Sequence, residues 1–370
     1  MSTGAVNTSA MSTTDSGCCR DDGSEAPLAQ LTKQDFQSGQ EVKWCPGCGA
    51  YGILGQVQSV LPRLGIPREN FVFVSGIGCS SRFTYYLSTY GFHGIHGRAP
   101  AIAMGVKCAR PDLSVWVVSG DGDGLSIGTN HLVHCLRRNL DLNILLLNNQ
   151  IYGMTKGQYS PTSELGKKTK SSPLGTIENP LNPVSLALTA GATFVARTVA
   201  TDAVHLGAVL EAAARHKGAS FVEIRESCVV FNADSLVSFS DRSRREDNWV
   251  YLEPGKPVRF GAHADKGIAM RGMVPRVVNV GEPRGESGGE PGAREEELLV
   301  HDPTNPSVAQ AMCLAELPQP EFPTALGIFR QVQRPTYEDM LMAQIDTATA
   351  RGGPGKLTSL LGEGTTWVVD

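Results

Sequence analysis

Between about residues 40 and 235 the chain alternates short, almost continuously apolar runs with longer segments in which apolar residues recur every three to four positions. FVFVSGIG (71–78), LSVWVVSG (113–120), LNILLLNN (142–149), ATFVART (192–198) and SFVEIRES (220–227) are short apolar or β-rich runs, and they read as buried strands. Helical spacing predicts helices in four places. One follows Cys48, where Ile53, Leu54, Val57, Leu61 and Leu64 fall on one face. The others are APAIAMGVKCAR (99–110), with Pro100 in its first turn, LSIGTNHLVHCLRRN (125–139), and DAVHLGAVLEAAARHKG (202–218), which ends at Gly218. Apolar strands separated by helices predict an α/β fold, a parallel sheet covered by helices on both faces.

Two stretches break this rhythm. Residues 152–183 form a long polar segment, and a loop of that length inside a compact domain is usually functional or disordered. Beyond 240 the periodicity weakens, and 278–297 is rich in Gly and Glu. The reading is a disordered tail over 1–35, an α/β domain over 36–240 that carries the cofactor and metal motifs described below, and a partly irregular extension over 241–370 that wraps the domain or a partner. No internal repeat is evident.

Composition narrows the function classes. The chain has 370 residues, 41% apolar and 19% charged, with a net charge of -4, which gives no nucleic-acid footprint. No run is long and apolar enough to span a bilayer, and the polar N-terminus lacks the apolar core of a secretory signal. The expected compartment is the cytoplasm, where cysteines bind metal or do chemistry more often than they pair.

The stretch SGDGDGLSIG (119–128) ends one strand, and Asn148-Asn149-Gln150-Ile151 ends the next. Ligands of parallel sheets bind beyond such carboxyl ends. Glycines let the backbone approach a phosphate, and Asp121 offers a hard oxygen suited to Mg²⁺. The amide of Asn149 and a main-chain carbonyl such as that of Ile151 would add two more. With two diphosphate oxygens and a water, these fill an octahedron. Read alone, GDG is an ordinary Asp-Gly turn; with NN closing the next strand, the pair resembles the thiamine diphosphate signature. Walker and dinucleotide loops are absent.

Of the nine cysteines, Cys45 and Cys48 form a CxxC before a helix, and Cys79 and Cys228 each follow a predicted strand. Parallel strands would bring all four thiols to one edge, where they suit Zn²⁺, an iron–sulfur cluster or, for the CxxC alone, a redox dithiol. Proximity to the diphosphate site favours the cluster. Cys108 and Cys135 fall on helices and read as inert; Cys18, Cys19 and Cys313 have no assigned role. His93, His131 and His134 read as structural. Arg98 suits an anion or a brace for the loop before Pro100. Lys156 and Gln158 lie in the polar loop and either cover the site or are simply solvated.

WCPGCG, GIGCSSR, HGRAPAIAMGVK, SGDGDGLSIG, NNQIYGMTKGQYSPTS and CVVFN stand in order over roughly 44–235. Together they resemble the β subunits of the 2-oxoacid:ferredoxin oxidoreductases, and the fifth motif and the extension look most like the 2-oxoglutarate enzyme. The resemblance implies a thiamine diphosphate-binding fold and one [4Fe-4S] cluster on Cys45, Cys48, Cys79 and Cys228. It implies Mg²⁺ on Asp121, Asn149 and the Ile151 carbonyl. Further cofactor contacts would be Ile77, Gly78, Cys79, Ser80, His96, Gly120, Gly122, Asp123, Tyr152, Gly153, Met154 and Thr155. Arg82 would meet a substrate carboxylate, Met154 would lie near the reacting centre, and His96 would bond diphosphate or substrate unless it is a satisfied structural histidine.

The implied reaction is CoA-dependent, reversible oxidative decarboxylation of 2-oxoglutarate to succinyl-CoA and CO₂, with reduction of ferredoxin. The implied partner is an α subunit that supplies the activating glutamate, so the chain alone would be inactive. Pyruvate or another 2-oxoacid as substrate, and a non-redox thiamine-dependent decarboxylase, are the alternatives.

Overall fold

A computed structural model of the chain describes residues 31–233, 245–281, 295–364 and 367. The expected tail over 1–35 lies outside them except for its last five residues. Eight strands build the main sheet: β1 (Phe71–Ser75), β2 (Tyr90–His93), β3 (Ser114–Gly120), β4 (Leu142–Asn148), β5 (Phe194–Val199), β6 (Ser220–Arg225), β7 (Trp249–Leu252) and, from the far end of the chain, β11 (Thr324–Gln331). Their order is β2-β1-β3-β4-β6-β5-β11-β7. The first six strands are mutually parallel; β11 runs antiparallel to β5 and parallel to β7. Strands β8 (Arg259–Phe260), β9 (Lys266–Arg271) and β10 (Val274–Asn279) form a separate small antiparallel sheet.

Alternation within each strand explains the continuous apolar runs. Val115, Val117, Ile144 and Leu146 face one core, shared with α3 (Ala99–Ala109), α5 (Thr129–Arg138), α6 (Pro183–Thr189) and α8 (Ala309–Ala315). Trp116, Val118, Leu145 and Leu147 face the other, shared with α1 (Ala50–Val60) and α7 (Ala203–Arg215). Both faces are dry, so no polar alternation is required.

The expected helix over 125–139 is two helices. Asp121–Leu125 is a short α4, Ser126 leaves the helical region, and Thr129–Arg138 resumes as α5 and ends at Asn139 with φ 55°. Close approach forces the break: a Cβ on Gly128 would lie 2.5 Å from the Asp123 carbonyl. The long polar segment contains no helix or strand up to Asn182, whose side chain caps α6 at Val184 and Ser185. Three features went unread in the sequence. Strand β2 is short and exposed along all four residues, Tyr90 and Phe92 included. Strands β7 and β11 lie beyond 240, so the extension completes the main sheet rather than standing apart from it.

Candidate active site

Strands β1, β3, β4 and β6 are consecutive neighbours, so the loops at their carboxyl ends emerge side by side. A cavity of about 410 Å³ opens there, within the usual range for small-ligand sites. Its first wall is Ile77, Gly78, Cys79 and Ser80 after β1, with His96 beside them. The floor is Gly120 through Asp123, and the third side is Asn149 and Ile151 to Thr155. All residues assigned to the cofactor from the sequence therefore share one cavity, joined by Leu147 and Gln158.

The two acids in the floor differ. Asp121 is buried, and burial raises its carboxyl to about 6. The opposing contributions come from hydroxyls and amides rather than from a cationic side chain: Ser160 Oγ donates at 2.5 Å and Thr162 Oγ1 at 2.8 Å, and the Asn149 N–H acts in the same direction. Asp123 is a clamp. Its Oδ1 accepts from the backbone of Gly97 at 2.7 Å and Ile77 at 3.3 Å, and its Oδ2 from Ser119 Oγ at 2.7 Å. Glycines make room for this packing: a Cβ on Gly76 would lie 2.0 Å from Asp123 Oδ2, and one on Gly122 would lie 2.2 Å from the Tyr152 ring. Tyr152 also donates its hydroxyl to the Gly122 carbonyl at 3.0 Å.

Behind the cavity stand the thiols. Cys79 lines it directly, and Trp44 of the CxxC loop donates its indole N–H to the Cys79 carbonyl at 2.7 Å. A Cβ on Gly153 would lie 3.3 Å from Cys228 Sγ and 3.9 Å from Cys79 Sγ. Burial pushes the Cys48 thiol up to about 12, with Glu226, Cys79 and Cys228 adding to the shift. Burial likewise raises Cys79, followed by Cys228, Glu226 and Cys45. Cys48 and Cys79 thus each feel other thiols of the set. Among the described residues no three His, Cys, Asp or Glu side chains are grouped as ligands of one metal ion.

Arg82 does not line the cavity. The 3-10 turn Ser80–Arg82 carries it past the wall, and its charge acts on Cys79 instead. Arg98 reaches the His96 carbonyl at 3.4 Å, bracing the loop before α3. Lys156 is exposed at the loop tip. His93 bonds Ser75 Oγ and the Ser81 carbonyl although it is exposed at the sheet edge, and Cys135 is buried; both hold structural positions away from the cavity. Cys108 is half-buried. The sequence reading missed Ser160 and Thr162, although their motif QYSPTS was noticed, because a hydroxyl in a polar loop carries no spacing signal. It also missed Glu226, a buried acid held up at about 8 by burial and then by Asp121, which hides at the end of an apolar strand.

This fold, with a glycine–aspartate floor below a strand-end cavity, defines a thiamine diphosphate-binding domain. Residues 76–224 match the family "Thiamine pyrophosphate enzyme, C-terminal TPP binding domain". The 2-oxoglutarate oxidoreductase subunit KorB of Mycobacterium tuberculosis is 50% identical over 91% of this chain and 88% of its own length. The 2-oxoglutarate synthase subunit KorB of Archaeoglobus fulgidus is 42% identical over 59% of this chain and 82% of its own. A solved 2-oxoglutarate:ferredoxin oxidoreductase from Magnetococcus marinus, with 2-oxoglutarate, coenzyme A and succinyl-CoA bound, superposes with a TM-score of 0.71. It is 32% identical, over 92% of this chain and 98% of that one. The chain belongs to the family of 2-oxoacid:ferredoxin oxidoreductase β subunits, among the KorB chains.

Proposed function

We propose that this chain is the β subunit of a CoA-dependent 2-oxoglutarate:ferredoxin oxidoreductase. In this reading it holds thiamine diphosphate and Mg²⁺ in the cavity and a [4Fe-4S] cluster on Cys45, Cys48, Cys79 and Cys228. The observation that carries it is the double-sided wall at Gly153 and Cys79: one face lines the cavity, and the other meets the thiols. The residues fit both groups. Asp121 is a buried acid without a cationic partner among its strongest influences, as suits a divalent ion. Asn149 and the Ile151 carbonyl stand on the same rim. The CxxC loop of Cys45 and Cys48 packs against Cys79 through Trp44, and Cys228 lies beside Gly153 with Cys79, so four thiols are available to a cluster on this side of the wall.

When bound, thiamine diphosphate supplies the electron sink for decarboxylation, and the cluster supplies a one-electron path outward. The chain's own residues do the positioning. Gly120 and Gly122 let the backbone meet a diphosphate, and Asp123 fixes the Ile77 and Gly97 loops against each other. Met154, half-exposed at the mouth, presents an apolar surface where water must be excluded. Among the described residues the acids lining the cavity are Asp121 and Asp123, and both are engaged by hydrogen bonds. In this reading, as the resemblance implies, the acid that activates the aminopyrimidine is supplied by a partner α subunit. Arg82 keeps a substrate role only if that partner completes the pocket beside Cys79. No helix among the described residues is long and apolar enough to cross a membrane.

The test is anaerobic co-purification with the α subunit. The complex should be brown, and it should reduce a low-potential dye with 2-oxoglutarate only when CoA, Mg²⁺ and thiamine diphosphate are all present. Full dye reduction and unchanged iron content after Cys228→Ala would overturn the cluster assignment. Colourless, iron-free protein that still decarboxylates would favour the non-redox alternative.

A further inference from the structure

Two hydroxyls from the long polar segment converge on a single oxygen of Asp121. Ser160 and Thr162 lie 39 and 41 residues downstream, yet Ser160 Oγ sits 2.5 Å and Thr162 Oγ1 2.8 Å from Asp121 Oδ2, all three residues buried. The hydroxyls are themselves held. Ser163 Oγ accepts from the Ser160 backbone N–H at 2.8 Å and donates to the Gln150 carbonyl at 2.7 Å. Gln150 Nε2 donates to the Thr162 carbonyl at 3.1 Å.

Thr162 Oγ1 is also 2.9 Å from Asn148 Oδ1, so its single proton is shared between that amide oxygen and Asp121 Oδ2. The orientation of that amide is fixed from behind: Asn148 Nδ2 donates to Glu223 Oε1 at 2.7 Å, and Arg197 Nε donates to Glu223 Oε2 at 2.6 Å. Arg197 continues to Asn182, which donates to the Ala315 carbonyl on α8. A chain of buried hydrogen bonds thus runs from the floor of the cavity, through the base of the polar segment, to the extension.

We infer that Ser160 and Thr162 are positioning residues that fix the rotation of the Asp121 carboxyl group for the cation. Through them, order in the 152–182 segment is coupled to filling of the cavity. The inference rests on the reading that Asp121 holds Mg²⁺ beneath thiamine diphosphate. Two donors on one oxygen fix both the plane and the tilt of the carboxylate before the ion arrives, which is the usual task of partners behind a metal ligand. The same two bonds tie the segment to that carboxylate, so an ion that stiffens Asp121 stiffens the segment as well.

The test uses the αβ complex and titrates Mg²⁺ at fixed thiamine diphosphate, following cofactor binding by near-ultraviolet circular dichroism. Ser160→Ala with Thr162→Val should weaken apparent Mg²⁺ affinity about 10- to 100-fold. The concentration for half-maximal turnover should rise more than the plateau falls, the visible cluster spectrum should be unchanged, and Thr162→Ser should restore affinity. Trypsin supplies a second readout at the exposed Lys168 and Lys170. Mg²⁺ with thiamine diphosphate should slow cleavage there in the wild type and fail to do so in the double variant. Wild-type Mg²⁺ affinity in the double variant, with affinity lost in Asp121→Ala, would overturn the positioning role alone. Unchanged binding in Asp121→Ala would overturn the cofactor reading on which it rests.

Discussion

At the residue scale, glycines set the tolerance of the site. Gly76 and Gly122 are not there for backbone freedom, since neither has a positive φ. They are there because side chains already occupy the space: Asp123 against Gly76 and the Tyr152 ring against Gly122. Gly76→Ala and Gly122→Ala are expected to cost about 1–3 kcal/mol each, in the range for overpacked interiors. They should also weaken thiamine diphosphate binding, because the displaced groups are the clamp and the wall of the cavity. Gly39→Ala, where nothing lies within 4 Å, should leave both unchanged. Thermal melts with a cofactor titration decide it, and equal behaviour of all three variants would refute the steric account.

At the scale of elements, what could be read in the sequence followed burial. The five strands over 71–227 were legible because both faces of each are dry, and the helices α1, α3 and α7 because one face is. Strand β2 pairs with β1 at the sheet edge, and its four residues, with Tyr90 and Phe92 exposed, are too short a run to mark it as a strand. Strand β11 is buried on both faces but carries Gly327, Arg330 and a register shift between Ile328 and Arg330, which erase its periodicity. The candidate site was legible for a different reason: short motifs mark Asp121, Asn149 and the four cysteines, whereas the groups behind the floor, Ser160 and Thr162 on Asp121 and Glu223 on Asn148, have no motif logic of their own.

Two histidines stitch late elements to early ones. His301 Nε2 donates to the Ile328 carbonyl of β11 at 2.8 Å, and His216 Nε2 bonds Thr193 Oγ1 at 2.9 Å just before β5. Burial holds both below the ordinary imidazole range. The unfolded chain therefore takes up protons first as pH falls. Their contribution is complete above about pH 6.5 and is lost as pH falls through the lower, folded values. Because Glu226 and Asp121, held up at about 8 and 6, act in the opposite sense over the same range, the histidine effect is read as a difference: from pH 7.5 to pH 5.5 the wild type's melting temperature should fall relative to that of His301→Gln, whose amide can still reach Ile328. An identical pH profile for wild type and variant would exclude His301 as a contributor.

For the molecule as a whole, the extension divides into a part that closes the sheet and a part that does not. Strand β11 covers β5 and buries Ala325, Leu326 and Phe329, and α8 adds Ala311 and Leu314 to the same core. Helix α9 (Tyr337–Gly352) behaves otherwise: past Glu338, which is buried and accepts from the Asp141 backbone N–H, nearly the whole helix is exposed. Burial of each large apolar side chain is worth about 1.5–3 kcal/mol, against a total stability of about 5–15 kcal/mol for an ordinary domain. A chain ending at residue 318 would forfeit several such side chains and bare the edge of β5, an open template for aggregation. It should be recovered as aggregate or fail to bind thiamine diphosphate. A chain ending at residue 353 keeps β11 and the Glu338 anchor, so it should stay soluble, melt within a few degrees of the full chain and bind the cofactor normally. Size-exclusion chromatography and calorimetry on the two truncations separate these outcomes. A soluble, cofactor-binding chain ending at residue 318 would show that the sheet holds together without β11.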